Sequence, residues 1–228
     1  MFSKFAILFV AALAAAHAQD RPLDNAFKIN VPPDSPVTPI ARLPDDALIF
    51  LIASRYCDSD NLTDLAWSMF GGLTGGYQRV KAICDFAHGK IRFSYPDARS
   101  NRSASDAMRE GIGVCRDFAH LAVTLSRCMN IPARYCTGYL GDIGVPADPA
   151  PMDFSAWYEV FLDGRWFTFD ARHNHPRIGR IVIARGRDAA DVAISTAFGP
   201  AELVRFNVIT EELKQTDAHQ GVQIMQAA

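Results

Sequence analysis

The 228-residue chain contains no Cys-x-x-Cys pair, and its six histidines are not spaced as ligand pairs, which argues against a zinc site. It has no Lys/Arg run with aromatics between the charges, and its 23 basic residues are scattered against 25 acidic ones. That distribution excludes nucleic acid as the partner. No apolar stretch reaches the roughly 20 residues of a membrane span, and no internal repeat is present. Disulfide pairing cannot use up the cysteines, because five is an odd count (Cys57, Cys84, Cys115, Cys128, Cys136). What remains is an ordinary globular balance, 49% hydrophobic and 21% charged, with material for one domain and short extensions.

The first residues stand apart from that domain. Met1 to Lys4 give a short basic start, Phe5 to Ala15 are almost wholly apolar, and Ala16-His17-Ala18 offers a small-x-small cleavage site. This layout predicts a signal peptide over 1–18, hence a periplasmic or secreted protein with no stable membrane insertion after cleavage. The alternative is a cytoplasmic protein with a hydrophobic N-terminus. Export would place the cysteines in an oxidising compartment. Residues 19–43, with Pro32-Pro33 and Pro36, read as an extended lead-in. A folded domain is expected over 44–212 and a loose tail over 213–228.

Within the domain, Pro44-Asp45-Asp46 predicts a helix start, with helical patterning through Tyr56, then over Leu62–Phe70, Tyr77–His88 and Ser103–Met108. A further helix opens at Cys115, where Gly111-Ile-Gly-Val precedes a pattern burying one stripe at Phe118, Leu121, Ala122, Leu125 and Met129. After Asn130-Ile-Pro132 the period changes. Strands are expected over Arg134–Leu140, Asp153–Leu162, Arg165–Asp170, Ile178–Ala184 and Leu203–Thr210. Helices followed by antiparallel strands define an α+β domain.

Cys115 falls at the first turn of its helix, where unpaired N–H groups and the helix dipole favour a thiolate. The plainer reading is a small buried residue. Asp163-Gly164 is a two-residue hairpin signal that pairs Leu162 with Arg165. Counting outward places Trp157 opposite Asp170 and Ser155 opposite Arg172, so these four share a face, with Ser155 and Asp170 diagonal neighbours. Asp170 is thus a candidate orienter facing a polar position. Trp157, Trp166, Phe167 and Phe169 read mainly as core, with a substrate-binding patch as the alternative for Trp157. Arg172 is placed to pair with Asp170 or hold a substrate carboxylate. Arg116-Asp117 reads as a solvated first turn, and His88 as a solvated or capping residue.

Four separated segments occur in order: Gly113-Val-Cys115-Arg-Asp-Phe-Ala-His120, Ile131-Pro-Ala-Arg-Tyr135, Phe154-Ser-Ala-Trp157 and Trp166-Phe-Thr-Phe-Asp-Ala-Arg-His-Asn174. Over about Pro44 to Phe198 the chain resembles the transglutaminase-like superfamily. The resemblance implies a papain-like core, its N-terminal helices and nucleophile helix packed on an antiparallel sheet. It also implies a Cys-His-Asp triad acting on an amide carbonyl of a peptide or protein, with Cys115 as nucleophile and Asp170 as the histidine's partner. No metal or organic cofactor is implied. The sequence departs from the family pattern at Ser155, which stands where the family carries its histidine. A hydroxyl lacks the basicity to move the thiol proton, a role that contributes about 10²–10⁴-fold; Ser155 would hold a water or shape the pocket. His120 lies roughly 140° around the helix from Cys115 and points away. His173 falls on the opposite face from Asp170 if the strand continues; if the chain turns there, His173 or His175 swings back as a substitute base. Three readings follow: thiol-dependent acyl transfer, either hydrolysis or transamidation; an impaired domain that binds peptide or cell-wall material without turnover; or a purely structural domain.

Overall fold

A computed structural model describes residues 31–147, 154–194, 200 and 205–210. The segment 1–18 read as a signal peptide, the expected lead-in before Val31 and the expected tail lie outside the described residues. Five helices lead: α1 (Asp45–Leu48), α2 (Thr63–Phe70), α3 (Gly76–Lys90), α4 (Ala104–Glu110) and α5 (Cys115–Cys128). Two short parallel strands, β1 (Arg92–Phe93) and β2 (Ile112–Gly113), flank α4 and were not foreseen. Then come β3 (Ala133–Leu140), β4 (Phe154–Leu162), β5 (Arg165–Phe169) and β6 (Arg180–Gly186), in the antiparallel order β5-β4-β3-β6.

The helical reading through Tyr56 is too long. After α1 a 3-10 turn ends at Leu51, because tertiary partners take over the backbone. The buried Arg127 guanidinium donates to the Ile52 carbonyl at 3.1 Å, and the Tyr56 N–H donates to Asp188 at 2.8 Å. The strand expected over Leu203–Thr210 is likewise absent from its described part, 205–210, where Phe206 packs edge-on against Phe154 at 6.5 Å without joining the sheet.

The β4–β5 hairpin turns on Asp163 (φ 46°) and Gly164 (φ 79°), both left-handed as the tight turn requires, and Leu162 pairs with Arg165. Ala156, Tyr158, Val160 and Leu162 on β4 belong to the core clusters shared with α5. Ser155, Trp157 and Glu159 therefore face the other side of the sheet. Helix α5 does more than bury one stripe: every residue from Asp117 to Cys128 is buried, between α3 and α4 on one side and β3 and β4 on the other. Its polar residues survive there because each finds a partner. Thr124 and Ser126 donate back to carbonyls one turn earlier at 2.7 Å, and Arg127 donates to the carbonyls of Ala133, Ile52 and Arg187.

Candidate active site

Cys115 is the first residue of α5, half-buried beside a small cluster of Ala119, Tyr135, Ala156 and Val192. It therefore packs against β4 at Ala156, on the sheet face opposite to that of Ser155. The turn that holds it is built by Asp117. This carboxylate, 1% exposed, accepts the Val114 N–H at 2.8 Å and pairs with Arg102 at 3.0 Å and Arg116 at 3.3 Å. Accepting a backbone N–H at the helix start is one half of a capping box. A side chain on Gly113 would put its Cβ 2.4 Å from the Asp117 carboxylate, so the glycine before Cys115 makes room for the cap. Arg116-Asp117 is thus a buried ion-pair cap rather than a solvated turn. The sequence signal was available, since 117 is the third helical position, but its partner Arg102 is supplied by tertiary structure.

All five cysteines are thiols. Burial pushes Cys57 up to about 11 and Cys84 up to about 12, and Cys128 and Cys136 are raised for the same reason.

Beyond β5 the chain turns, and the Asn174 N–H donates to the Asp170 carbonyl at 2.8 Å. Of the two courses open after Asp170, the turn is the one taken. Oδ1 of Asp170 accepts the backbone N–H groups of Arg172 (2.9 Å) and His173 (3.0 Å). Oδ2 faces His173 Nδ1 at 2.8 Å and Arg180 Nη2 at 2.6 Å. Burial alone would push this carboxyl up; the His173 hydrogen bond, the Arg180 charge and the backbone donors outweigh it and hold the acid well below the usual carboxylate range. An ionised Asp170 makes His173 Nδ1 the donor, which leaves Nε2 as the basic nitrogen. His175 follows, its Nδ1 2.7 Å from the His173 carbonyl and its ring 5.9 Å from that of His173.

The turn is braced on both sides. His88 on α3 points Nδ1 at the carbonyls of Ala171 (3.1 Å) and Arg172 (3.0 Å), and Asn174 donates to Asp85 at 2.7 Å. His88, exposed near the end of α3, thus braces the turn by capping these carbonyls. The Arg172 guanidinium lies 3.9 Å over the Phe93 ring. Its side chain does not pair with Asp170; only its N–H does. Phe93 pairs with Gly113, two residues before Cys115. That stacking contact ties the Asp170–Asn174 turn to β1, the partner of the strand that leads into α5. A cleft of about 140 Å³ opens beside the turn, lined by Tyr77, Lys81, Asp170, Asn174 and His175 among others.

Ser155 and Asp170 do not meet, because β5 ends at Phe169 and Asp170 lies in the turn beyond the sheet. Ser155 is buried, and its Oγ has no hydrogen-bond partner. Trp157 is 1% exposed beneath Arg180, whose guanidinium carbon is 5.0 Å from the ring centroid, so it is packed inside rather than presented to a ligand. His120 is also remote in role: burial pushes it down, and its Nε2 accepts the Ala189 N–H at 3.1 Å. Arg180 carried no sequence signal, and its part emerges only from the fold. Among the described residues, no group of three or more His, Cys, Asp or Glu is disposed to hold a metal ion.

Residues 63–171 match the family model of the transglutaminase-like superfamily. An uncharacterized protein from Mycobacterium leprae (strain TN) is 31% identical over 117 residues, covering 50% of this chain and 42% of its own length. A second, from Mycobacterium tuberculosis (strain ATCC 25618 / H37Rv), is 33% identical over 108 residues, covering 40% and 34%. Among solved structures, a candidate cysteine protease from Cytophaga hutchinsonii superposes with a TM-score of 0.67 at 41% identity, over 73% of this chain and 56% of that one. The chain thus spans less than half the length of the mycobacterial relatives it matches. The matched segment takes in α2 through the end of β5, including Cys115 and Asp170, and over that segment this chain is similar to the transglutaminase-like superfamily.

Proposed function

We propose that the protein carries out thiol-dependent acyl transfer on an amide bond, with Cys115 as nucleophile and His173, held by Asp170, in place of the histidine that Ser155 has displaced. The observation that carries this reading is the Asp170–His173 pair at 2.8 Å, on a turn that Arg172 anchors to β1, whose partner β2 leads into Cys115. The Cys115 thiol gives its proton to His173 Nε2, and Sγ bonds to the carbonyl carbon. First-turn N–H groups of α5 are the donors available to the developing oxyanion. As the tetrahedral species collapses, the C–N bond breaks and the leaving amine takes the proton back from the imidazolium. Water then opens the thioester to an acid, or a second amine opens it to a new amide. The substrate is a peptide or protein amide. The 41% identity to a candidate cysteine protease supports the hydrolytic arm. The basic, apolar and small-residue succession of Met1–Ala18 supports a periplasmic or secreted location. No helix among the described residues is long and apolar enough to cross a membrane.

A second reading has its own support. Ser155 is buried without a partner and offers neither a base nor an anchor for one, which suits a domain that binds peptide or cell-wall material without turnover. The pH dependence of iodoacetamide labelling at Cys115 separates the two. Acyl transfer expects a midpoint below the ordinary thiol value of about 8.5, moved upward by His173→Ala. A midpoint at the ordinary value that ignores His173→Ala overturns the assignment of His173 and leaves the binding reading.

A further inference from the structure

Arg180 opens β6 opposite Leu140, and sheet pairing puts it on the face of Gly138, Ser155 and Trp157. Its side chain is 4% exposed, lies over Trp157, and reaches Asp170 at 2.6 Å. A carboxylate offers about four lone-pair sites, and Asp170 has four donors: two backbone N–H groups, His173 Nδ1 and Arg180 Nη2. Nothing is left over for a side chain at position 155. The arginine also supplies the positive charge that balances the buried carboxylate.

We infer that Arg180 is a positioning residue: acting through Asp170, it holds His173 with Nδ1 as donor and leaves Nε2 as the accepting nitrogen. This rests on the reading of His173 as the base. Other charged groups face the same turn: His175 at 5.9 Å, His88 with its Nδ1 toward the Ala171 and Arg172 carbonyls, Asp85 bound to Asn174, Lys81 paired with Asp85, and Arg172 on Phe93. None of these is itself changed when Arg180 alone is replaced, so a charge-removing and a charge-keeping variant are compared to isolate its charge.

The test is the titration of the His173 imidazole, followed by proton–nitrogen NMR in the full chain, for the parent, Arg180→Gln and Arg180→Lys. Loss of a charge at this range moves a midpoint by about one pH unit. Arg180→Gln is expected to raise the His173 midpoint by that amount, while Arg180→Lys, which keeps the charge, leaves it near the parent value. An unmoved midpoint in Arg180→Gln overturns the inference, as does an equal shift in Arg180→Lys. Should Arg180→Gln fail to fold, the lysine variant alone decides: a retained midpoint supports the charge coupling and a shift of a full unit refutes it. Labelling of Cys115 in the same variants is read separately. A His173 titration that follows Arg180 while labelling ignores His173 would retain the coupling and reject the assignment of His173 as base.

Discussion

Removing the charge of Asp117 should be among the most costly single changes in the domain. Asp117→Asn keeps the shape of the side chain and an oxygen for the Val114 N–H, but it leaves Arg102, whose side chain is 4% exposed, facing an amide. Breaking a buried ion pair from one side costs about 3–5 kcal/mol. Arg102 still holds Glu110 at 2.9 Å and the Asp97 carbonyl at 3.0 Å, so the lower end, about 3 kcal/mol, is expected. For a chain of this size that corresponds to a fall in Tm of about 6–12 °C. The assay is urea unfolding followed by tryptophan fluorescence, with calorimetry as a second readout. Arg102→Met in the Asp117→Asn background removes the stranded charge and should recover at least about 1 kcal/mol. An Asp117→Asn protein within about 1 kcal/mol of the parent, or a double variant weaker than the sum of the singles, would refute the account of the cap as a buried ion pair.

Three further outcomes follow from the same coordinates. His120 is pushed down by burial, so the unfolded chain binds its proton below the ordinary histidine value of about 6.5 while the folded chain does not. Stability therefore falls with pH from that point downward, by up to about 1.4 kcal/mol per unit, and His120→Gln should flatten the urea-midpoint profile between pH 7 and 5. Iodoacetamide at pH 8 should modify Cys115 well before the buried Cys57 and Cys84, whose thiols are held up to about 11 and 12; comparable rates by mass spectrometry would contradict that burial. At Gly138, a Cβ would sit 1.9 Å from the Ile181 carbonyl at the β3–β6 irregularity, so Gly138→Ala should split this edge pairing and expose its amides to hydrogen exchange.

Local chemistry was legible in the sequence; long-range partners were not. The hairpin register follows from Asp163-Gly164 because a two-residue turn fixes the pairing by itself. Helix α5 likewise begins where its glycines and apolar period say, at Cys115. Its burial on every side depends on α3, α4 and the sheet closing around it, which no window of the sequence encodes. The short run of helix before Tyr56 failed for the same reason, since Arg127 and Asp188 are distant in sequence from the backbone they hold. At the site, alternation along β5 points Asp170 to the face of Trp157 and Ser155 but could not say that the strand stops at Phe169. The turn through Asn174 (φ 53°) brings His173 back onto Asp170, and only Asn174's tolerance of that backbone region hinted at it. The diagonal reach from Ser155 to Asp170 was geometrically sound, yet Asp170 had already filled its acceptors from elsewhere.

The order of parts along the chain has a consequence for the protein's making. Cys115 lies at the head of a helix formed early in synthesis, while Asp170, His173 and Arg180 lie beyond the hairpin, more than fifty residues later. The Arg172–Phe93 contact that joins the two parts forms only when the last strands dock. A chain halted before β5 therefore carries the thiol with no imidazole or carboxylate beside it. On the proposed reading of His173 as base, reactivity is a certificate of completion: the nascent protein keeps its cysteine dormant through synthesis, and arms it as the sheet closes.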